Sequence, residues 1–368
     1  MSVRRQIILM LFLNAVFCAF WVYYRVAIDI QYQPYPHFLV DYSFGLIRRA
    51  LIGAVAGLFF TKVPILVVFA FGVVAALLCA LLFLMLFRKD FGFRSETMPL
   101  FALVIGSPFF LKNFFYNLGS FDVLGCLVAL GALLLPVTAF YPLLVAATSV
   151  VLIFVHHIHF LLYVPTILFI VLVRHATATG RVDPVRAVWA AAPFLATAAA
   201  FLLIIAHGTP PVPEATFLAH MKARAIDPFN EGMTYIWYRT MPQEFHDTLE
   251  ELPDNLLQAP LYVFVLLLHW PLLQFARANF AAIGTRLERL LAGGGFAAIT
   301  VGYAAIFITV FDYSRWISSW AICLWLAVHA IRRLPSATAV PLPSQRPHNL
   351  LFAWLVSLVP RIGTVTPF

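Results

Sequence analysis

The chain has 368 residues, of which 62% are hydrophobic and only 11% charged, with a mean hydropathy of +0.92 and a formal net charge of +8. A soluble domain carries about 25% charged residues, so a chain this poor in charge cannot clothe its surface in solvated groups, and lipid must cover most of it. The basic residues sit in short clusters between apolar runs, as at Arg4-Arg5, Arg88-Lys89 and Arg332-Arg333, which is the pattern of loops held on the cytoplasmic side and not of a nucleic-acid surface.

A helix needs about 20 apolar residues to cross the hydrocarbon core. The N-terminus, MSVRRQIILMLFLNAVFCAFWVYY, begins like a signal peptide, but its apolar run is too long and no small-x-small cleavage site follows. It reads as a retained first span over 6–28. Further spans are predicted over 63–87, 98–112, 119–135, 143–156, 158–173, 188–206, 260–275, 296–311 and 317–331. The four between 98 and 173 are short and read as two hairpins, turning at KNFFYNLGS and at HHIH. Residues 350–359 are too few to span and are expected at the interface.

The first loop, DIQYQPYPHFLVDYSFGLIRRALIGAVAGLFFTK, ends in an apolar stretch with a basic pair, suited to a helix lying in the membrane interface. Segment 207–259 carries eight acidic residues, prolines at 210, 211, 213 and 228, and WYRTMPQEF. Its aromatic content predicts a small helical cap and not a loose linker. The fold expected is therefore all-α: a polytopic bundle of about ten transmembrane spans, with an interfacial helix after the first and a small outer helical cap. Its parts are an N-terminal transmembrane module (1–206), the cap (207–259), C-terminal transmembrane helices (260–334) and a cytoplasmic tail (335–368).

Ten spans place both termini on one side, and charge tests which. The segments then cytoplasmic hold 15 of the 24 Lys and Arg but only 4 of the 16 Asp and Glu. That bias puts the termini inside, in an arrangement that suits a bacterial inner membrane. The four cysteines all lie within apolar runs, with no CxxC pair.

Ionisable groups at membrane depth are costly and mark a site or a pathway. A mixture of signs gathers at the outer span ends: Asp41, Arg48, Arg49, Lys112, Asn117, Asp122, His156, His157, His159, Asp312 and Arg315. Asp41 is placed to act as a general base. Arg48 and Arg49, two turns on, suit phosphate binding; the plainer alternative is a helix cap and two snorkelling arginines. Asp122 in GSFDVLG either caps its helix or contacts a ligand. The three histidines are candidates for phosphate or hydroxyl binding, or simply line a cavity. No HExxH or comparable spacing supports a metal, and no cofactor motif is present. Asp312 and Arg315 in DYSRW are an i,i+3 pair that either tidies a turn or adds a second phosphate clamp.

Three stretches resemble the GT-C superfamily of glycosyltransferases: LFALVIGSPFFLKNFFYNLGSFDVLGCLVALGALLLP, PLLVAATSVVLIFVHHIHFLLYVPTILFIVL and VDYSFGLIRRALIG. They cover roughly residues 1–175 in layout. The run from Asp41 to Arg49 and the DYSRW turn also resemble bacterial membrane proteins of polysaccharide loci. The resemblance implies transfer of a sugar from a polyprenyl-phosphate-linked donor to a hydroxyl of a glycan or lipid-linked acceptor, with Asp41 as base and Arg48, Arg49 or Arg315 on the leaving phosphate. The acidic pair typical of that superfamily is missing, since Asp29 and Asp41 are twelve residues apart. Beyond the donor, the acceptor and membrane lipids, no partner is expected, and no nucleic acid. A transporter or flippase of a lipid-linked or anionic solute, and a non-catalytic assembly subunit, are the competing classes.

Overall fold

The computed structural model describes residues 2–30, 32–309, 312–343 and 347–361, and among them every regular element is helical. The last two residues of the expected span 296–311, and residues 344–346 and 362–368 of the expected tail, lie outside the described residues.

Four helical stretches are long and apolar enough to cross a membrane: Val3–Ile28, Ile65–Asp90, Pro184–His207 and Arg286–Thr309. The pair Ala259–Leu268 and Trp270–Ala281, bent by 67° at His269, is together long and apolar enough for a broken span or a re-entrant loop. Shorter apolar helices fill the interior: Asp122–Leu134, Tyr141–Val155 and Val164–Ala176. The outward faces of the long helices are apolar, with Phe12 65%, Leu195 73% and Val301 67% exposed. A surface of that kind is stable only against lipid, and the chain is an integral membrane protein.

Proline sets many of the helix starts. Pro99, Pro142, Pro165, Pro184, Pro260 and Pro271 each occupy the first turn of a helix, where the missing N–H is not needed and the fixed φ favours helix. The expected span 98–112 is broken into Met98–Ile105 and Leu111–Tyr116, and Pro271 marks the bend after His269.

Helix Val164–Ala176 is the hub. It packs against Asp122–Leu134, Tyr141–Val155, Pro184–Ala191, Arg286–Thr309 and Tyr313–Ile331, inside one large apolar cluster. A second apolar cluster sits at one end and joins two remote segments. Tyr35, Phe38, Ile47 and Ala50 from the first loop pack with Phe217, Met221 and Trp237 from segment 207–259, and with Phe121 and Val155 of the bundle. The first loop and the cap are thus one unit. It is tied down where the Val63 N–H donates to Arg224 O at 2.8 Å and the Arg48 N–H to Gly208 O at 2.9 Å.

The opposite end is closed by polar pairs. Asp90, ending the helix that starts at Ile65, meets His329 at 2.6 Å and Arg333 at 2.9 Å. Arg174 donates to Leu135 O at 2.6 Å and Arg333 to Leu133 O at 2.6 Å. Residues 350–359, expected at the interface, lie in helix Pro347–Leu358, which packs along the first helix: Trp354 donates to Gln6 at 3.3 Å, Asn14 to Ser357 at 3.1 Å, and Trp21 to Pro360 O at 3.0 Å.

Candidate functional site

The candidate residues divide into three groups in space. The largest lies where the cap unit meets the bundle. His156 and His157 follow helix Tyr141–Val155, whose C-terminus the extended His156 backbone ends. Their rings stack at 5.5 Å between centroids, and His156 lies 6.1 Å from the His159 ring. His37, from the short helix Tyr35–Leu39, is 6.2 Å from His156. His37, His157 and His159 are all buried, and His37 Nδ1 and His157 Nδ1 have no hydrogen-bond partner. A buried polar atom without a partner costs about 1–3 kcal/mol, so two such atoms together mark a place where a ligand or water would be held.

Arg49 is the cation beside them. It is an electrostatic neighbour of His37, His156 and His157. Its φ is +63°, the single positive φ of a residue other than glycine among the described residues, and its buried Nε has no partner. Burial first, and the like charge of Arg48 second, lower the Arg49 guanidinium to about 10, which leaves it charged at neutral pH. Burial, then Arg49 and Arg315, hold the His37 imidazole well below the ordinary histidine value. A neutral imidazole beside a fixed cation can donate to an anion from one nitrogen and accept at the other.

Asp122 and Arg315 border the same region. Arg315 reaches Asp122 with Nε at 3.0 Å and Nη2 at 2.9 Å, Asp312 at 2.9 Å and Ser120 at 2.9 Å. Asp122 is the first residue of its helix, after the N-cap Phe121, and accepts from Ser120 Oγ at 3.1 Å. Arg315 is committed to these two carboxylates, a trio with one net negative charge, whereas among the described residues no ion pair holds Arg49, whose buried Nε is without a partner.

Asp41 forms the second group. Its carboxylate accepts from the Ser43 N–H at 2.9 Å, from His220 at 3.1 Å and from Arg224. Arg224 also donates to Leu39 O at 3.2 Å and Gly53 O at 2.8 Å. Burial raises the Asp41 carboxyl, but the hydrogen bonds to Ser43 and the charges of Arg224 and His220 outweigh it, and the net shift is downward. Between this trio and the histidines stands an aromatic row in which His220 touches Phe44 (5.2 Å), Phe44 touches Phe217 (6.3 Å), Phe217 touches Trp237 (5.7 Å) and Trp237 touches His37 (5.1 Å). Asp41 is not brought together with Arg49.

Lys112 and Asn117 form the third group. Lys112 is fully buried and donates to Gly106 O (2.9 Å), Ser357 O (2.8 Å) and Val359 O (2.7 Å). Asn117 donates to Asn113 Oδ1 at 2.9 Å. Arg48 is committed as well, with Nε on Trp237 O at 3.2 Å and Nη2 on Arg239 O at 2.7 Å.

His37, His220, Arg224 and Trp237 are the residues that sequence reasoning missed. The signal for His37 was its place in YPHF, a turn-rich run already marked as the start of the first outer loop. No group of three or more His, Cys, Asp or Glu side chains is arranged to hold a metal ion among the described residues.

These features define the class: an all-helical integral membrane protein with a cation and a histidine cluster under a folded cap. No family model matches the chain, and neither the curated proteins nor the solved structures contain a match.

Proposed function

We propose that this chain is a glycosyltransferase or glycan polymerase of the membrane, transferring a sugar from a polyprenyl-phosphate-linked donor to a hydroxyl acceptor at the cap end. The observation that carries the proposal is Arg49, whose buried Nε has no hydrogen-bond partner, within electrostatic range of His37 and His157, each with a buried ring nitrogen likewise without a partner. Such a cation is fitted to a phosphate. In the reaction the bond from the anomeric carbon to the phosphate oxygen breaks, and the phosphate leaves with the electron pair. A bond from the anomeric carbon to the acceptor oxygen forms, and a base takes the acceptor's proton. Arg49, with His37, His156 and His157, would stabilise the charge that grows on the phosphate.

A ten-span arrangement supports donor access from lipid. The chain returns to the cap end at Asn117, Val155, His207 and Asp312, and to the opposite end at Asp90, Leu134, Arg174 and Arg333. With the Lys and Arg bias this order supports a cap outside a bacterial inner membrane and an N-terminus inside, with the C-terminal helix running along the first one toward the cap end. The Leu51–Gly57 helix ends in Leu58 and Phe59, 79% and 76% exposed, an apolar foot suited to the interface.

The test uses purified protein in lipid nanodiscs with a radiolabelled sugar on a polyprenyl phosphate and a hydroxyl acceptor. Wild type should form glycoside and Arg49→Met should lose at least about tenfold of it, the worth of one charged hydrogen bond. Equal product from both would overturn the proposal. Asp41, the base expected from sequence, is held by Arg224 and His220 across the aromatic row from His37, so it can serve only an acceptor that reaches past that row. Asp41→Asn decides it: lost transfer with retained phosphate binding assigns it the proton, and undiminished transfer removes it.

One observation favours a second class. Broken helices at depth are the usual seat of transporter sites, and the 67° bend at His269 is one. His269 there meets Ser107 at 2.8 Å on the wall of a cavity lined by Phe83, Phe110 and Trp325. Movement of an intact labelled donor across liposomes, without glycoside formation, would select that class.

A further inference from the structure

The two adjacent arginines of the first loop look interchangeable in sequence and are not so in space. Arg48 spends its groups on the cap. Its N–H donates to Gly208 O at 2.9 Å, its Nε to Trp237 O at 3.2 Å and its Nη2 to Arg239 O at 2.7 Å, while its carbonyl accepts from Trp237 Nε1 at 2.9 Å. The exchange with Trp237 runs both ways: side chain to backbone in each direction. Trp237 is fully buried and its ring faces His37. Gly208 has no room for a side chain, since a Cβ there would sit 3.0 Å from Arg48 Cβ and 2.4 Å from Ile204 O.

The next residue is Arg49, at φ +63°. A side-chain-bearing residue adopts that region at a cost and does so only where the surroundings fix it. The surroundings are the Arg48 clamp, which holds the peptide immediately before. The clamp fixes the carbonyl and side chain of Arg48 on Trp237 and Arg239 immediately before the left-handed residue, and the Arg49 side chain then stands within electrostatic range of His37, His156 and His157.

We infer that Arg48 is a positioning residue and Arg49 the ligand-binding one: Arg48 and Trp237 form a two-way clamp that holds Arg49 in a left-handed turn, aimed at the phosphate of the lipid-linked donor. This rests on the phosphate site proposed above and adds to it a mechanism by which the cap governs that site. The cap is then a part of the donor pocket through Trp237, without touching the donor.

A double-mutant cycle between Arg49→Gly and Trp237→Phe tests it in detergent micelles, with farnesyl phosphate as the probe. Arg49→Gly should weaken binding about tenfold, the loss of one charge-assisted contact. Trp237→Phe, which keeps the ring and removes the donor, should weaken it by a large part of that. The double variant should bind no worse than Arg49→Gly alone, because there is then no guanidinium left to aim. Arg48→Lys, which keeps the charge but cannot reach both carbonyls, should behave like Trp237→Phe, including in the Arg49→Gly background. A further loss when Arg48→Lys or Trp237→Phe is added to Arg49→Gly would mean that Arg48 binds the phosphate itself, and would overturn the inference.

Thermal unfolding without ligand provides the second arm. Arg49→Gly relieves the left-handed residue and should raise Tm, and the gain should vanish in the Trp237→Phe background. A gain that persists there overturns the clamp. If wild type fails to bind farnesyl phosphate while the Tm cycle behaves as stated, the phosphate site fails and the clamp stands.

Discussion

Arg315 and Asp122, 193 positions apart, form an ion pair in which Nε donates to Asp122 Oδ2 at 3.0 Å and Nη2 approaches the same oxygen at 2.9 Å, with the Asp122 side chain only 5% exposed. The pair fixes the start of helix Tyr313–Ile331 against the start of helix Asp122–Leu134. A buried pair broken on one side leaves a bare charge, at a cost of about 3–5 kcal/mol. Arg315→Met, which strips the buried Asp122 carboxylate of its cation, should therefore lower the unfolding midpoint in detergent steeply, whereas Asp122→Ala leaves Arg315 paired with Asp312 and should cost less. Pairing Arg315→Met with Asp122→Ala should recover part of the loss, and an additive double variant would show that the pair is not coupled.

Stability should fall in acid through Asp41. Its carboxyl lies below the ordinary value in the folded protein, with burial opposing and the Ser43, Arg224 and His220 contacts prevailing. A group whose folded value is depressed contributes stability that is fully present above the unfolded value, about 3.9 for Asp, and is lost as pH falls through the folded value. Asp41→Asn should thus be less stable than wild type at pH 7, with the gap closing below about pH 4. A gap that is constant from pH 7 to pH 3 would contradict the network.

Two glycines should respond oppositely to alanine. A Cβ on Gly53 would sit 1.9 Å from Val40 O, which is backbone and cannot yield cheaply. Gly53→Ala should cost about 3 kcal/mol and loosen the cap unit, visible as faster proteolysis of the first loop. Gly294, inside helix Arg286–Thr309, has nothing within 4 Å of the added carbon. Gly294→Ala should stabilise by about 0.5–1 kcal/mol, as read from the thermal midpoint.

Sidedness is open to a labelling experiment. Glu250 on the cap and Thr179 at the other end are both exposed. With Cys18, Cys79, Cys126 and Cys323 replaced, Glu250→Cys should react with an impermeant maleimide added outside intact cells, and Thr179→Cys only after lysis. The reverse result would invert the chain in the membrane.

Membrane class was legible because composition alone decides it. Helix existence was legible because apolar runs can satisfy their backbone in lipid only as helices. Breaks were less so: the bend at His269 and the gap between Ile105 and Leu111 fall inside long apolar runs, and the warnings were Pro271 and Gly106-Ser107-Pro108, each proline restricting the residue before it. The outer inventory of charges was readable, but its partition was not. Asp41 meets Arg224 and His220 across more than 170 residues, and no spacing rule links such positions. The aromatic row that separates it from Arg49 is made by Phe44, Phe217 and Trp237, which hydropathy counts as ordinary apolar residues. The unlike roles of Arg48 and Arg49 were hidden for the same reason: sequence shows two neighbouring charges, and only the left-handed turn divides them.

Lys112 waits for its acceptors. Its ammonium is received by carbonyls at 357 and 359, up to 247 positions downstream. While the chain is being made, that ammonium has only the Gly106 carbonyl of these folded-state partners, because the other two belong to a stretch not yet synthesised. The surroundings of Lys112 are therefore completed only once translation has delivered Pro347–Leu358 and the residue after it.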